Sequence, residues 1–189
     1  MSMSIGKKRR LFINSFLSLS PNQKLFFRNT LLAFLLWALI GNIPQFHEFL
    51  VVNLASFSSV LIELLSGLRP EVSGHSLSGT DEICCRIYDF RSSLKIAQPC
   101  DGWELYYLSA AFVFVFPGFT IKRKTIFALL GVFILYFFNL LRIVALFFMA
   151  GELPKFFAFY HHYVFQILAY LLMFLIWSIF LRKDNFAKL

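Results

Sequence analysis

The sequence predicts an all-α polytopic membrane protein with about four transmembrane helices, an outer interfacial helix and a small extracytoplasmic β-hairpin. Of its 189 residues, 59% are hydrophobic and only 15% are charged, whereas a soluble domain is about half apolar. The mean hydropathy is +0.71. Basic residues cluster at the ends of apolar runs, as the positive-inside rule expects. The net charge of +8 therefore indicates orientation in a lipid bilayer, and no nucleic acid partner is expected.

Residues 1–28 are predicted to be a basic cytoplasmic segment. A basic run at 7–10 precedes a short apolar stretch at 11–19. This stretch is too short to cross a bilayer core of about 30 Å, and we expect it to lie at the cytoplasmic interface. The rest of the chain, 29–189, is predicted to form a single membrane domain.

Five apolar runs follow, and all but one of them are predicted to cross the membrane. The exception, 49–68, is long enough to be a span but carries polar residues at intervals of three or four positions, which places them on one helix face. A helix with such a face is expected to lie flat in the outer interface. Its polar line is Asn53, Ser56, Ser59 and Glu63, and the predicted spans are 29–46, 101–120, 125–150 and 161–181.

The basic clusters set the predicted topology. Clusters at 7–10, 122–124 and 182–183 are placed in the cytoplasm. The last three spans then run inward, outward and inward, so residues 69–99 lie outside and one crossing precedes them. All but one of the 10 acidic residues also fall outside. A five-span arrangement with an external N-terminus is the alternative, and the same rule disfavours it.

Residues 69–99 form the only sizeable polar segment and are predicted to hold the hairpin. Strand-like residues at 82–90 and 94–97 are separated by a turn at 91–93. Glycines and serines before residue 82 indicate a loop. We expect His47 and His75 to lie in exposed loops.

Cys100 stands apart from the other two cysteines, which are the adjacent pair Cys84 and Cys85. Pro99 favours a helix start, so the thiol is predicted to lie in the first turn at the outer membrane surface. There the positive end of the helix dipole favours the thiolate. The alternatives are an inert, space-filling cysteine and a zinc site shared with the other cysteines and a histidine. Adjacent cysteines are poorly placed to chelate one ion, so no metal or other cofactor is expected.

Arg142 is the one charged residue placed well inside a predicted span, about 12 Å from its outer end at 1.5 Å per residue. Such a charge is costly and usually faces the bundle interior or a functional site. Asn139, three residues earlier, shares its helix face. A buried structural pair with Glu63 or Glu104 is the alternative interpretation.

His161 and His162 open the last span from the outside, at about the level of Cys100. Each could be an ordinary boundary residue. Together with Cys100 and Arg142, however, they supply a thiol, a base and a cation from three different spans. These are the components of cysteine acyl transfer.

In this order the motifs resemble those of the exosortase/archaeosortase family of membrane-embedded cysteine transpeptidases. The matching stretches are Pro99-Cys100-Asp101-Gly102, Asn139-Leu140-Leu141-Arg142 and the His161-His162 pair. A Leu-Leu-x-Gly ending at 64–67 is similar too, and the likeness covers roughly residues 50–180. Asp101 stands where a serine is usual, and Gln166 stands where a glycine is frequent.

The resemblance implies that Cys100 is the nucleophile, Arg142 stabilises the substrate or transition state, and His162 is the acid/base. His161 would occupy the position of an acid that the family often carries, and with Asn139 it is assigned to substrate binding. The implied substrates are membrane-anchored exported proteins whose C-terminal sorting signal is a short motif, a transmembrane helix and a basic tail.

The implied reaction takes place at the extracytoplasmic face of a bacterial cell membrane. A thioacyl intermediate would pass to a glycan or lipid acceptor. The alternative function is a non-catalytic membrane subunit of a polysaccharide export or transport assembly, in which Arg142 pairs with a buried acid or a partner helix.

Overall fold

A computed structural model describes residues 20–76, 83–90, 92–97 and 100–182. The basic run at 7–10 and the short apolar stretch at 11–19 lie outside the described residues. Most of the described chain is helical, with one small antiparallel sheet. The helices are α1 (Pro21–Ile40), α2 (Pro44–Ser66), α3 (Trp103–Val115), α4 (Ile121–Glu152), α5 (Pro154–Phe159) and α6 (Phe165–Leu181), and a π-helical turn, Tyr160–Val164, joins the last two.

The helices begin and end at residues whose side chains favour those positions. At the start of α1, Ser20 and Gln23 form a reciprocal capping box, with Pro21 in the first turn. Helix α2 also starts on a proline, Pro44, and ends at Gly67, whose φ of 70° is in the left-handed region. That conformation is common at helix C-termini and favours glycine.

Helices that are long and apolar enough to cross a membrane indicate a multi-pass membrane protein. In the described part of the chain they are α1, α2, α4 and the continuous helical segment Pro154–Leu181. The number, 4, matches the sequence prediction, but the members differ. Helix α2 has sufficient length at 23 residues, because it starts five residues before the predicted interfacial run. Helix α3, in contrast, has only 13 residues, or about 20 Å at 1.5 Å per residue.

The two faces of α2 have different environments. A stripe from His47 to Ile62 is buried and packs against the sheet and α4. On the opposite face Ser56 and Glu63 are exposed, in agreement with the predicted polar line, and Val60 and Leu64 are exposed among them. His47 was expected in an exposed loop, and this expectation is wrong because α2 begins early enough to include it.

The sheet has the order β1–β2–β3, with strands Glu71–Ser76, Ile83–Tyr88 and Ser93–Ala97. The predicted hairpin corresponds to β2 and β3, and backbone hydrogen bonds between Asp89 and Ser92 close its turn. Strand β1 was predicted to be a loop, and His75 lies within it. Glycine and serine have a low propensity for strands, but β1 forms because it pairs with the free edge of β2. Tertiary context often overrides the strand propensity of a sequence in this way.

Helix α3 packs against α1, α4 and α6. The contact with α4 is close, because a Cβ at Gly131 would lie 2.8 Å from Ser109 Oγ. A buried cluster of Tyr106, Leu135 and Met173 joins these helices. The packing brings the segment before α3, the C-terminal half of α4 and the π-helical turn to one place.

Candidate active site

Cys100 lies just before α3 and not in its first turn, where it was predicted. Gly102 is the N-cap residue, with a left-handed φ of 78°. Asp101 Oδ1 accepts a hydrogen bond from the backbone N–H of Trp103 at 2.8 Å. This hydrogen bond and the glycine N-cap together start the helix at Trp103. The half-buried, free thiol of Cys100 therefore sits on the loop that enters the helix.

One imidazole nitrogen faces both the thiol and the guanidinium. Cys100 Sγ lies 3.7 Å from His161 Nε2, and Arg142 Nη2 lies 3.3 Å from the same nitrogen. A guanidinium can only donate hydrogen bonds, so Nε2 accepts and the imidazole proton is on Nδ1. The thiol faces the same lone pair. His161 is thus arranged as a base for Cys100.

Asn139 connects the loop that carries Cys100 to Arg142. Its Nδ2 donates to the backbone carbonyl of Cys100 at 3.1 Å and to Tyr106 Oη at 3.1 Å. Arg142 Nη1 lies 3.5 Å from Asn139 Oδ1. Asn139 is only 2% exposed, and protein groups occupy both ends of its amide. These contacts favour a positioning role over the substrate-binding role expected from the sequence.

The histidine next to the thiol is His161, whereas the sequence analysis assigned the acid/base role to His162. His161 is half-buried and stacks on Phe157, with the two rings 8° from parallel. His162, the expected acid/base, is exposed, and its ring packs against that of His161 at 89° from parallel. Both lie in the π-helical turn, which changes the direction of side chains by comparison with an α-helix. Such turns are frequent at functional sites.

His47 is a site residue that sequence reasoning missed. Its Nδ1 lies 2.5 Å from Asp101 Oδ2, and both side chains are 5% exposed. Its Nε2 lies 3.0 Å from the carbonyl oxygen of Gly41. The sequence feature that could have revealed His47 is Pro44, which favours a helix start. A helix that begins there includes His47 and places it on the same face as Val51, four residues later.

Gly102 is required by its surroundings as well as by its φ. A Cβ at this position would lie 2.6 Å from Tyr106 Oη and 2.8 Å from Asn139 Nδ2. No real Cβ approaches heavy atoms so closely. The residue after Asp101 therefore packs directly against the groups that hold the Cys100 carbonyl.

Arg142 has no acidic partner in the described part of the chain. The described acidic side chains in ion pairs include Asp101, which pairs with His47, and Glu63, which pairs with Arg69 at 3.6 Å. The alternative in which Arg142 pairs with Glu63 or Glu104 is thus wrong for the described residues. Arg142 Nε is also buried, and no described group forms a hydrogen bond with it.

A cavity of about 510 Å³ lies beside the arginine. It opens between the C-terminal end of α1, the first turn of α3 and the first turns of α6. Its size is in the range of small-ligand pockets. The lining combines aromatic and polar side chains, among them Trp37, Asp101, Glu104, Arg142, Gln166 and Tyr170.

The site thus brings a thiol, a neutral imidazole and a guanidinium together from three segments of the chain. These groups can deprotonate the thiol and stabilise negative charge on a neighbouring oxygen. Within the residues that the structure describes, no group of three or more His, Cys, Asp or Glu side chains could hold a metal ion. No family model, curated protein or solved structure matches this chain.

Proposed function

We propose that this chain is an exosortase-like membrane cysteine peptidase or transpeptidase. It cleaves C-terminal sorting signals of exported proteins through a thioacyl intermediate. One observation carries the proposal: Cys100 Sγ lies 3.7 Å from His161 Nε2, which Arg142 contacts at 3.3 Å. A sulfur–nitrogen distance of this size is loose for a hydrogen bond, and catalytic contacts often tighten when substrate binds.

In the acylation step, Cys100 Sγ attacks the carbonyl carbon of the scissile peptide bond. Its proton passes to His161 Nε2, and an S–C bond forms. The carbonyl oxygen becomes an oxyanion beside the guanidinium of Arg142. When the C–N bond breaks, His161 returns the proton to the leaving amine, and the acyl group remains on Cys100 as a thioester.

In the second step, an acceptor nucleophile attacks the thioester carbon. His161 takes the acceptor's proton and then returns it to sulfur as the S–C bond breaks. A glycan or lipid hydroxyl or amine would give transfer, and water would give hydrolysis. Arg142 stabilises the oxyanion in both steps, so one base and one cation serve the whole cycle.

The cavity beside Arg142 is the proposed binding site for the polypeptide next to the scissile bond. Gln166 and Glu104 offer hydrogen-bond partners to a peptide backbone, and Tyr170 offers apolar surface. The cavity lies among helices suited to a bilayer, where a membrane-anchored substrate would be held. We place the end of the bundle that carries Cys100, Arg142 and His161 at the extracytoplasmic face of a bacterial cell membrane, as the basic clusters favour.

A test that needs no substrate is the reactivity of Cys100 with iodoacetamide in the purified chain. A reactive nucleophile should be alkylated much faster than the same thiol in a His161→Ala variant. The complementary test co-expresses a protein that ends in a short motif, an apolar helix and a basic tail. Cys100→Ala, His161→Ala and Arg142→Ala should each abolish its processing while the enzyme still accumulates.

If the Cys100→Ala variant processes the substrate at the wild-type level, the proposal is refuted. A non-catalytic subunit predicts a different pattern, in which Cys100→Ser has no effect and Arg142→Ala destabilises the protein. Thermal unfolding of the two variants in detergent separates these cases.

A further inference from the structure

A second pair of titratable side chains lies directly behind the nucleophile. Asp101, the residue after Cys100, pairs with His47 of α2, and both side chains are 5% exposed. One carboxylate oxygen lies 2.5 Å from His47 Nδ1, and the other accepts from the backbone N–H of Trp103 at 2.8 Å. His47 Nε2 lies 3.0 Å from Gly41 O. The pair therefore joins the start of α3 to the elbow between α1 and α2.

The hydrogen-bond directions require one shared proton. Gly41 O can only accept, so His47 Nε2 carries a hydrogen. In a neutral imidazole Nδ1 is then an acceptor, as is an ionised carboxylate, and two acceptors do not approach each other to 2.5 Å. A hydrogen therefore lies between Nδ1 and Asp101 Oδ2. The pair as a whole is neutral whichever atom holds it, and this neutrality permits its burial.

The pair acts on the thiol through a single peptide unit. Asn139 Nδ2 donates to the carbonyl of Cys100 at 3.1 Å, and this carbonyl belongs to the peptide unit between Cys100 and Asp101. His47 holds the side chain of Asp101, the residue that follows the same peptide unit. These two contacts fix the C-terminal side of Cys100, which lies with Sγ 3.7 Å from His161 Nε2. Release of Asp101 would let the thiol swing away from its base.

We propose that His47 and Asp101 are positioning residues for Cys100 and that their shared proton locks the nucleophile loop to the α1–α2 elbow. The hydrogen bonds of the two side chains go to each other, to Gly41 O and to Trp103 N, and none goes to the thiol or its base. The inference rests on the proposed function, because it assigns the lock to the thiol that this function uses as nucleophile. It also gives a physical role to Asp101, which stands where the family usually has serine.

The test measures alkylation of Cys100 by iodoacetamide in the full-length chain in detergent, with mass spectrometry to follow this site. Sulfur displaces iodide from carbon, and the thiol proton passes to His161, so no peptide substrate is needed. Asp101→Ala should slow the reaction at least about tenfold by separating thiol and base. Asp101→Asn should react within about twofold of the wild type, because its Nδ2 can donate to His47 while Oδ1 still accepts from Trp103.

A double-mutant comparison separates positioning from general stability. Adding His161→Ala to Asp101→Ala should cause little further loss, because the base no longer faces the thiol. The same His161→Ala change in the wild type should cause a large loss. If Asp101→Ala does not fold, the double variant Asp101→Asn/His47→Ala opens the lock without leaving a buried charge.

Two results would overturn the inference: wild-type alkylation in a folded Asp101→Ala variant, or an Asp101→Asn variant as slow as Asp101→Ala. Either result leaves the proposed peptidase function standing. Conversely, a wild-type protein that processes no substrate refutes the function, and the alkylation comparison still decides whether the lock exists.

Discussion

Arg142 and Cys100 meet at the same atom of His161, with Nη2 at 3.3 Å and Sγ at 3.7 Å from Nε2. In the proposed acylation step, Nε2 takes the thiol proton, and an imidazolium would then lie against a guanidinium. Like charges about 4 Å apart repel by about 4 kcal/mol at an effective dielectric constant of 20. The thiolate formed in the same step offsets part of this repulsion. The repulsion that is not offset would favour return of the proton from His161 to the leaving amine.

The two histidines should respond very differently to substitution. His161→Ala removes the base that faces Cys100, and we expect alkylation of the thiol by iodoacetamide to slow about 10²-fold. His162→Ala should leave the rate within about twofold of the wild type, because this exposed side chain only packs against the His161 ring and forms no hydrogen bond with the thiol. The rates are measured by mass spectrometry at Cys100. Equal losses in the two variants would contradict the assignment.

Replacement of Arg142 by lysine should show that the guanidinium shape is used, and not only its charge. Lysine keeps the charge but cannot reach Asn139 and His161 with one planar group. We expect processing of a co-expressed signal-bearing substrate to fall about 10²-fold, as when one oxyanion donor is removed. Arg86→Lys, on the exposed side of β2, is the matched control. If Arg142→Lys processes the substrate at the wild-type rate, the planar, two-sided hydrogen bonding of the guanidinium is unnecessary.

The sequence selected residues that the structure brings together, but it did not predict their individual contacts. Cys100, Arg142 and a histidine of the 161–162 pair were selected because the topology predicted from the basic clusters places all of them in the outer half of the membrane. The choice of His162 rested on the family resemblance, whereas the histidine that faces the thiol is set by helix phase, and a π-helical turn determines that phase here. A sequence period of 3.6 residues does not reveal such a turn.

His47 shows a second limit of sequence reasoning. Its contact with Asp101 joins residues 54 positions apart, and no local pattern specifies such a pairing. The helix boundaries were less difficult in principle, since Pro44 and Gly67 both mark the limits of α2. The predicted hairpin was readable from alternation of residues, whereas β1 forms through pairing with β2, which is a tertiary effect.

Gly102→Ala should damage the site more than its backbone conformation alone would explain. A left-handed conformation costs a non-glycine residue roughly 1–2 kcal/mol. A Cβ here would also lie 2.6 Å from Tyr106 Oη. Gly118→Ala is the matched control, because Gly118 has a φ of 89° and a Cβ there would meet nothing within 4 Å.

We expect both glycine variants to lower the midpoint of thermal unfolding in detergent, and Gly102→Ala to lower it further. Only Gly102→Ala should slow the alkylation of Cys100, by about tenfold or more, because it displaces the loop that holds the thiol near its base. Similar alkylation rates in the two variants would show that the loop tolerates the added methyl group.

Tyr170 tests the proposed role of the cavity. It lines the cavity beside Arg142, so Tyr170→Ala should raise the KM for substrate processing about fivefold or more by removing apolar contact. Alkylation of Cys100 should not change, since Tyr170 does not contact the thiol. Tyr163→Ala, at a similarly exposed position outside the cavity lining, should alter neither quantity. An unchanged KM in Tyr170→Ala would exclude this cavity wall from substrate binding.

The orientation of α2 can be tested with two serines of the same helix. Ser56 is exposed, whereas Ser58 is fully buried at 0%, and both lie near the middle of Pro44–Ser66. If α2 lies flat in the outer interface, Ser56→Cys should react from outside intact cells with a membrane-impermeant maleimide, and Ser58→Cys should not. The other three cysteines are replaced by serine beforehand. If α2 crosses the bilayer, its midpoint lies in the hydrocarbon core, and neither variant reacts. Absence of labelling at Ser56→Cys in a folded, membrane-inserted protein would therefore refute the interfacial placement and favour a membrane-spanning α2.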